Sequence, residues 1–207
     1  LWPSDKLQRA HETLQKTGAD GYSSNVTAFW ADGRRVRIEK SQPQQQWDFL
    51  FEAAGPGCTY VLRKPLACAL QSLLNKRWAE VQQVGLHDWF SYAFARTNGF
   101  RWVIDDYAGM LYRQHESNQV GVNNGWRAGL HRASKVLNGW GLIQSALIAD
   151  LVGVGEDVFV KRWAKGGKRK GMFWLAFQAK KCRRRRRDQV LFALSCLALG
   201  VLGRRPS

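Results

Sequence analysis

Three absences narrow the reading of this 207-residue chain before any motif is weighed. Its four cysteines, at 58, 68, 182 and 196, include no C-x-x-C pair, which excludes a zinc ribbon and argues against a disulfide scaffold. A reducing compartment suits them. Long apolar runs are lacking as well. The best candidate, Val190 to Gly203, would span about 21 Å as a helix, short of a hydrocarbon core of about 30 Å. Finally, G-x-x-x-x-G-K-S/T, H-E-x-x-H and G-x-S-x-G are all missing, which removes the main support for those enzyme classes. The chain opens on Leu1 with no signal peptide, and the expectation is a piece of a longer protein, cut upstream.

Acidic residues are scarce, 16 against 32 Lys and Arg, and the scarcity is uneven. Residues 1–121 carry 14 Lys and Arg with 12 Asp and Glu, whereas residues 122–207 carry 18 with only 4. A near-neutral segment (+2) is followed by a basic tail (+14), so the overall +16 describes neither. A hydrophobic content of 45% with 10 Trp excludes disorder.

The near-neutral part interleaves helix and strand signals. Pro3-Ser4-Asp5 before Lys6-Leu7 reads as a helix start, carried by Leu7, Ala10 and Leu14 to a stop at Gly18. Tyr22 to Trp30 and Arg34 to Ile38 read as strands joined at Asp32-Gly33, a good hairpin turn. Trp47 to Ala53 is expected as a short amphipathic helix. Gly55-Pro56-Gly57-Cys58 bends into a short buried strand, Thr59 to Leu62, and Pro65 opens a helix to about Leu74. His87 to Thr97 places Phe90, Ala93 and Phe94 at helical spacing and stops at Asn98-Gly99. Trp102 to Ile104 and Met110 to Tyr112 read as two further strands. The alternation predicts an α/β fold. From Asn123 long helices are expected, followed by the basic cluster Lys165 to Lys170, the aromatic cluster Met172 to Phe177 and the run Arg183 to Arg187.

Chemistry concentrates at three places. Asp88, in His87-Asp88-Trp89, sits where a loop becomes a helix; free backbone N–H groups and the helix dipole hold a carboxylate ionised there, which suits a general base. Taken alone, the tripeptide reads as a helix cap. Tyr112-Arg113-Gln114-His115 closes a strand and opens a polar loop, making Arg113 a candidate phosphate contact and His115 a candidate metal ligand or phosphate contact, against the plainer reading of surface polar groups. Gly55 and Gly57 would let backbone approach a ligand closely, or simply make a turn.

In order along the chain, Leu1-Trp2-Pro3-Ser4-Asp5-Lys6-Leu7, Ala54-Gly55-Pro56-Gly57-Cys58-Thr59, His87-Asp88-Trp89 and Tyr112-Arg113-Gln114-His115-Glu116-Ser117-Asn118 resemble the second half of a family 2 glycosyltransferase. The flavour is that of bacterial rhamnosyltransferases that build O-antigen and other surface polysaccharide. The resemblance covers roughly residues 1–121, and the helical tail is also similar. It implies the acceptor-side half of a glycosyltransferase-A-like fold, a mixed sheet with flanking helices, followed by a basic, mostly helical tail. It also implies inverting transfer of a sugar, rhamnose among the candidates, from a nucleotide-sugar donor to a saccharide or lipid-linked acceptor.

On that resemblance Asp88 becomes the general base, and Gly55, Gly57, Cys58, Thr59, His87, Trp89 and Arg113 become substrate-binding residues. His115 becomes a ligand of a divalent metal, Mg or Mn. The family's D-x-D carboxylates and its nucleotide-binding half precede the Trp2 segment, so they are expected upstream of Leu1 and this chain alone is expected to be inactive. Ser24 stands where the resemblance leads one to expect an acid after Tyr22-Ser23.

For the tail, an in-plane anchor on an anionic membrane surface is preferred. The next reading is a helix packed on the domain with a solvated Arg run, and a nucleic-acid patch, which would need a recognised module, comes last. That ranking implies a cytoplasmic protein, peripheral on the inner face of the cell membrane.

Overall fold

The computed structural model describes residues 1–114, 139–165 and 168–203. Helix α1, Lys6–Thr17, ends where Gly18 takes a left-handed φ of 63°, as its sequence position suggests. Strand β1, Gly21–Phe29, turns through Asp32-Gly33 into β2, Arg35–Ile38, and the two pair antiparallel from Val26↔Ile38 to Phe29↔Arg35. The first residues of β1 pair antiparallel with β3, Val61–Leu62, while β4, Trp102–Arg113, runs parallel along the other edge of β1. The backbone of Leu1 exchanges hydrogen bonds with Leu111, which brings the Trp2 segment alongside β4. The sheet is therefore mixed, as expected from an α/β reading.

Several boundaries differ from the sequence expectation. Trp47 to Ala53 forms a single 3-10 turn, Asp48–Leu50, because Asp48 points inward to buried partners and no wet face is left to make an amphipathic helix. The strand foreseen from Thr59 shrinks to Val61–Leu62, since Gly57–Thr59 is itself a 3-10 turn. The two strands foreseen between 102 and 112 are one strand. Its register against β1 shifts near Asn25, where the polar residues Asp105 and Asp106 pass through the sheet.

Helices α2, Lys64–Lys76, α3, Trp78–Val81, and α4, His87–Thr97, follow β3. The described tail adds α5, Trp140–Leu151, α6, Val158–Ala164, α7, Lys168–Phe177, α8, Ala179–Cys182, and α9, Arg186–Leu202. The helical spacing of Trp126, Leu130, Ala133 and Leu137, where long helices are expected from Asn123, lies outside the described residues.

Alternation along β4 divides the core. Val103 packs with Ala10, Leu14, Ala19 and Tyr22 under α1, whereas Trp102 and Ile104 face α4 on the opposite side. There one continuous apolar core runs from Phe49, Phe51 and Trp89 to Phe159, Trp163, Leu175 and Leu199, so the near-neutral and basic segments share it. Trp47 stacks on Phe159 at 4.4 Å between ring centroids, and Phe51 meets Phe192 edge-on at 4.9 Å.

Candidate active site

Residues of all four sequence motifs meet where α4 begins. Leu86 is extended and offers no side-chain oxygen, so the start of α4 has no side-chain cap. Asp88 lies in the first turn instead, where the helix dipole favours a carboxylate, and its Oδ1 accepts the Trp89 N–H at 2.8 Å. The cap reading of Asp88 is thus corrected: it is a half-buried carboxylate inside the helix start. Among the described residues no group donates to Oδ2, which leaves that oxygen available to a substrate hydroxyl.

The facing loop is held in place by its own side chains. Gly55 takes a φ of 146°, a conformation L side chains rarely adopt. Thr59 Oγ1 donates to the Pro56 carbonyl at 2.7 Å and accepts the Ser24 N–H at 3.4 Å, while the Tyr60 hydroxyl accepts the Ala54 N–H at 3.1 Å. This loop presses Gly57 onto α4. A Cβ there would sit 2.8 Å from His87 Nε2 and 3.0 Å from Asp88 Cβ, so a larger residue would have to displace the imidazole and shift the first turn of α4 by a few tenths of an ångström.

A cation and a phenol border the same place. Lys6 Nζ lies 3.7 Å over the Trp2 ring and donates to the Cys58 carbonyl at 3.3 Å. Burial lowers the Lys6 pKa, and Cys58 offsets part of that effect. Partial burial raises the Cys58 thiol, with the Asp88 charge adding to it and Lys6 opposing it. Tyr112, at the end of β4, is likewise raised by burial first and then by Cys58 and Asp88. Asp88, Cys58 and Tyr112 therefore lie within electrostatic reach of one another. Arg113 is exposed beside them in sequence, its guanidinium 5.7 Å from the Phe29 ring.

Not every residue singled out from sequence faces this place. Trp89 is buried, and its indole N–H donates to the Phe49 carbonyl at 2.8 Å, so it anchors α4 and is not open to a substrate. Thr59 is fully buried and serves the loop. Ser24 is buried with its hydroxyl donating to the Asn25 carbonyl, and a Cβ at Gly109 would lie 2.9 Å from it. His115 lies outside the described residues. Among the described residues no three His, Cys, Asp or Glu side chains converge as a metal site. The sequence alone gives Lys6 and Tyr112 no role. The clue for Lys6 was a cation in the first turn of a helix, where the dipole disfavours it.

The chain is 39% identical over 194 residues to the dTDP-rhamnosyl transferase RfbG of Shigella flexneri, a match that covers 94% of this chain and 66% of that protein. The likeness therefore extends over nearly all of this chain. The chain spans somewhat less than two thirds of the length of RfbG. No protein-family model and no solved structure matches the chain. The mixed α/β sheet with flanking helices is consistent with the fold implied by the sequence resemblance.

Proposed function

We propose that the protein transfers rhamnose from a nucleotide-sugar donor to a saccharide acceptor in surface polysaccharide synthesis, with inversion, and that Asp88 is its general base. The likeness to RfbG supports the sugar and the donor class, and the placement within family 2 belongs to this proposal. The observation that carries the mechanism is the Asp88 carboxylate, fixed at a helix start, against a loop packed closely on it at Gly57. Asp88 Oδ2 takes the proton of the acceptor hydroxyl as that oxygen attacks the anomeric carbon from the face opposite the departing nucleotide diphosphate. Such a base contributes roughly 10²- to 10⁴-fold. Lys6 and Tyr112 lie near Asp88, where sugar and diphosphate would bind, and Arg113 would contact the diphosphate from the end of β4. The divalent ion belongs to the same proposal, with His115 and carboxylates beyond the described residues as its ligands.

We further propose a lipid-linked acceptor and work at an anionic membrane surface. No described helix is long and apolar enough to cross a membrane. Helix α9 nonetheless exposes Val190, Leu191, Leu194, Leu197, Val201 and Leu202 on one side, with exposed Arg185, Arg186 and Arg187 at its start. No observation here favours the nucleic-acid alternative. The test of the central reading is incubation of the full-length protein with dTDP-rhamnose and a lipid-linked saccharide, followed by NMR of the new linkage. Inverted configuration supports the reading; a retained configuration, or no transfer from any nucleotide sugar, contradicts it.

A further inference from the structure

The arginine run of the tail divides into two kinds. Arg185, Arg186 and Arg187 are exposed, whereas the Arg184 side chain is fully enclosed within the near-neutral segment. Its Nη1 donates to Asp48 Oδ2 at 3.0 Å, and its Nη2 donates to the Ala53 carbonyl at 2.6 Å and lies 3.4 Å from Glu52 Oε2. Its backbone N–H donates to Glu52 Oε1 at 2.6 Å, and Arg183 donates to the Phe51 carbonyl at 2.6 Å.

Asp48, fully buried, is shared. It also accepts Arg96 Nη1 at 2.9 Å and the Tyr92 hydroxyl at 3.1 Å. Tyr92 and Arg96 stand four and eight residues after Asp88 on α4, on the same side of the helix. Ala53 stands two residues before Gly55. One guanidinium thus ties, through Asp48, the helix that carries Asp88 and, through Ala53 and Glu52, the loop that carries Gly57.

We propose that Arg184 is a positioning residue for sugar transfer: it sets the spacing between the Asp88 helix and the Gly57 loop. Apolar side chains of similar volume would fill the same space without the cost of desolvating charges. Acceptors on both Nη1 and Nη2 use the width of the planar guanidinium, which the single nitrogen of lysine and the thioether of methionine do not reproduce. The spacing matters because a misplacement of about 1 Å can cost about 10²-fold in rate. The inference rests on the reading of Asp88 as base.

The test uses the full-length enzyme with Arg184→Lys, which keeps the charge, beside Asp88→Asn and Lys76→Met, at an exposed lysine on α2. Donor binding is titrated to give both affinity and the fraction of competent sites, and turnover is normalised to that fraction. Arg184→Lys is expected to keep donor affinity within about twofold while kcat falls at least about tenfold; Lys76→Met is expected to leave both unchanged. Arg184→Lys turnover within twofold of wild type overturns the inference, as does a loss of turnover that disappears on normalisation. If Arg184→Lys does not fold, Glu52→Gln decides. It leaves the Asp48 pair intact and weakens only the loop side, and an unchanged kcat there overturns the inference. Should Asp88→Asn remain active, the reading of the base fails instead, whatever Arg184 does.

Discussion

A single methyl group at Gly57 would land 2.8 Å from His87 Nε2 and 3.0 Å from Asp88 Cβ. The exposed imidazole can swing away, but the Asp88 Cβ is fixed to the first turn of α4. Gly57→Ala is therefore expected to lower turnover about tenfold or more while the melting temperature changes little, which steady-state kinetics and a thermal melt on one preparation would establish. Asp48 carries a stability cost as well. Asp48→Asn leaves the buried Arg184 and the largely buried Arg96 facing a neutral amide, and breaking such a network costs about 3–5 kcal/mol. A fall of about 10 °C in melting temperature is expected, and a fall under about 2 °C would show the network to be of little consequence. Gly57 thus shapes the site alone, whereas Asp48 holds up the core and links the site to Arg184.

At the scale of elements, β4 keeps a carboxylate inside the sheet by surrounding it with donors. Burial alone would raise the pKa of Asp105, but Arg9 at 2.9 Å, the Tyr107 N–H at 3.1 Å and the Tyr22 hydroxyl at 3.0 Å hold it below the usual carboxylate range. A depressed carboxylate stabilises the fold above its unfolded pKa, and that stability is lost as pH falls through the lower folded value. The loss therefore belongs below about pH 4, and the half-exposed Arg9 keeps it modest. Melting temperature against pH should fall less steeply there for Asp105→Asn than for wild type; parallel curves would remove Asp105 from the acid response.

The same elements show what a sequence can disclose. Helix α4 runs from His87 to Thr97 as its apolar spacing suggested, and the hairpin turns at Asp32-Gly33, because both signals are local. The turn at Asp48 was misread because its partners stand up to 136 residues away, at Arg184. The Arg run read as uniform because nothing within it distinguishes Arg184 from Arg185. Asp88 was legible as a candidate only through its motif. Its neighbours Lys6 and Tyr112 come from α1 and β4, and only folding brings them there.

At the scale of the whole molecule, charge and apolar surface meet on α9. Its inner side packs Cys196 and Leu199 into the shared core, while its outer side exposes Leu194 and Val201 among others. Vesicle co-sedimentation should show binding to anionic lipid that weakens as salt shortens the reach of the basic residues to about 10 Å at 0.1 M. Leu194→Glu should reduce the part that salt does not remove. Equal binding by wild type and Leu194→Glu would place the contact elsewhere. The most direct measurement concerns the base itself: turnover and donor binding of Asp88→Asn in the full-length enzyme. Asparagine keeps the size of the side chain and an oxygen for the Trp89 N–H, but it cannot take a proton. Retained donor affinity with turnover reduced at least about a hundredfold is the predicted result; turnover above about a tenth of wild type would contradict the assignment of Asp88 as the base.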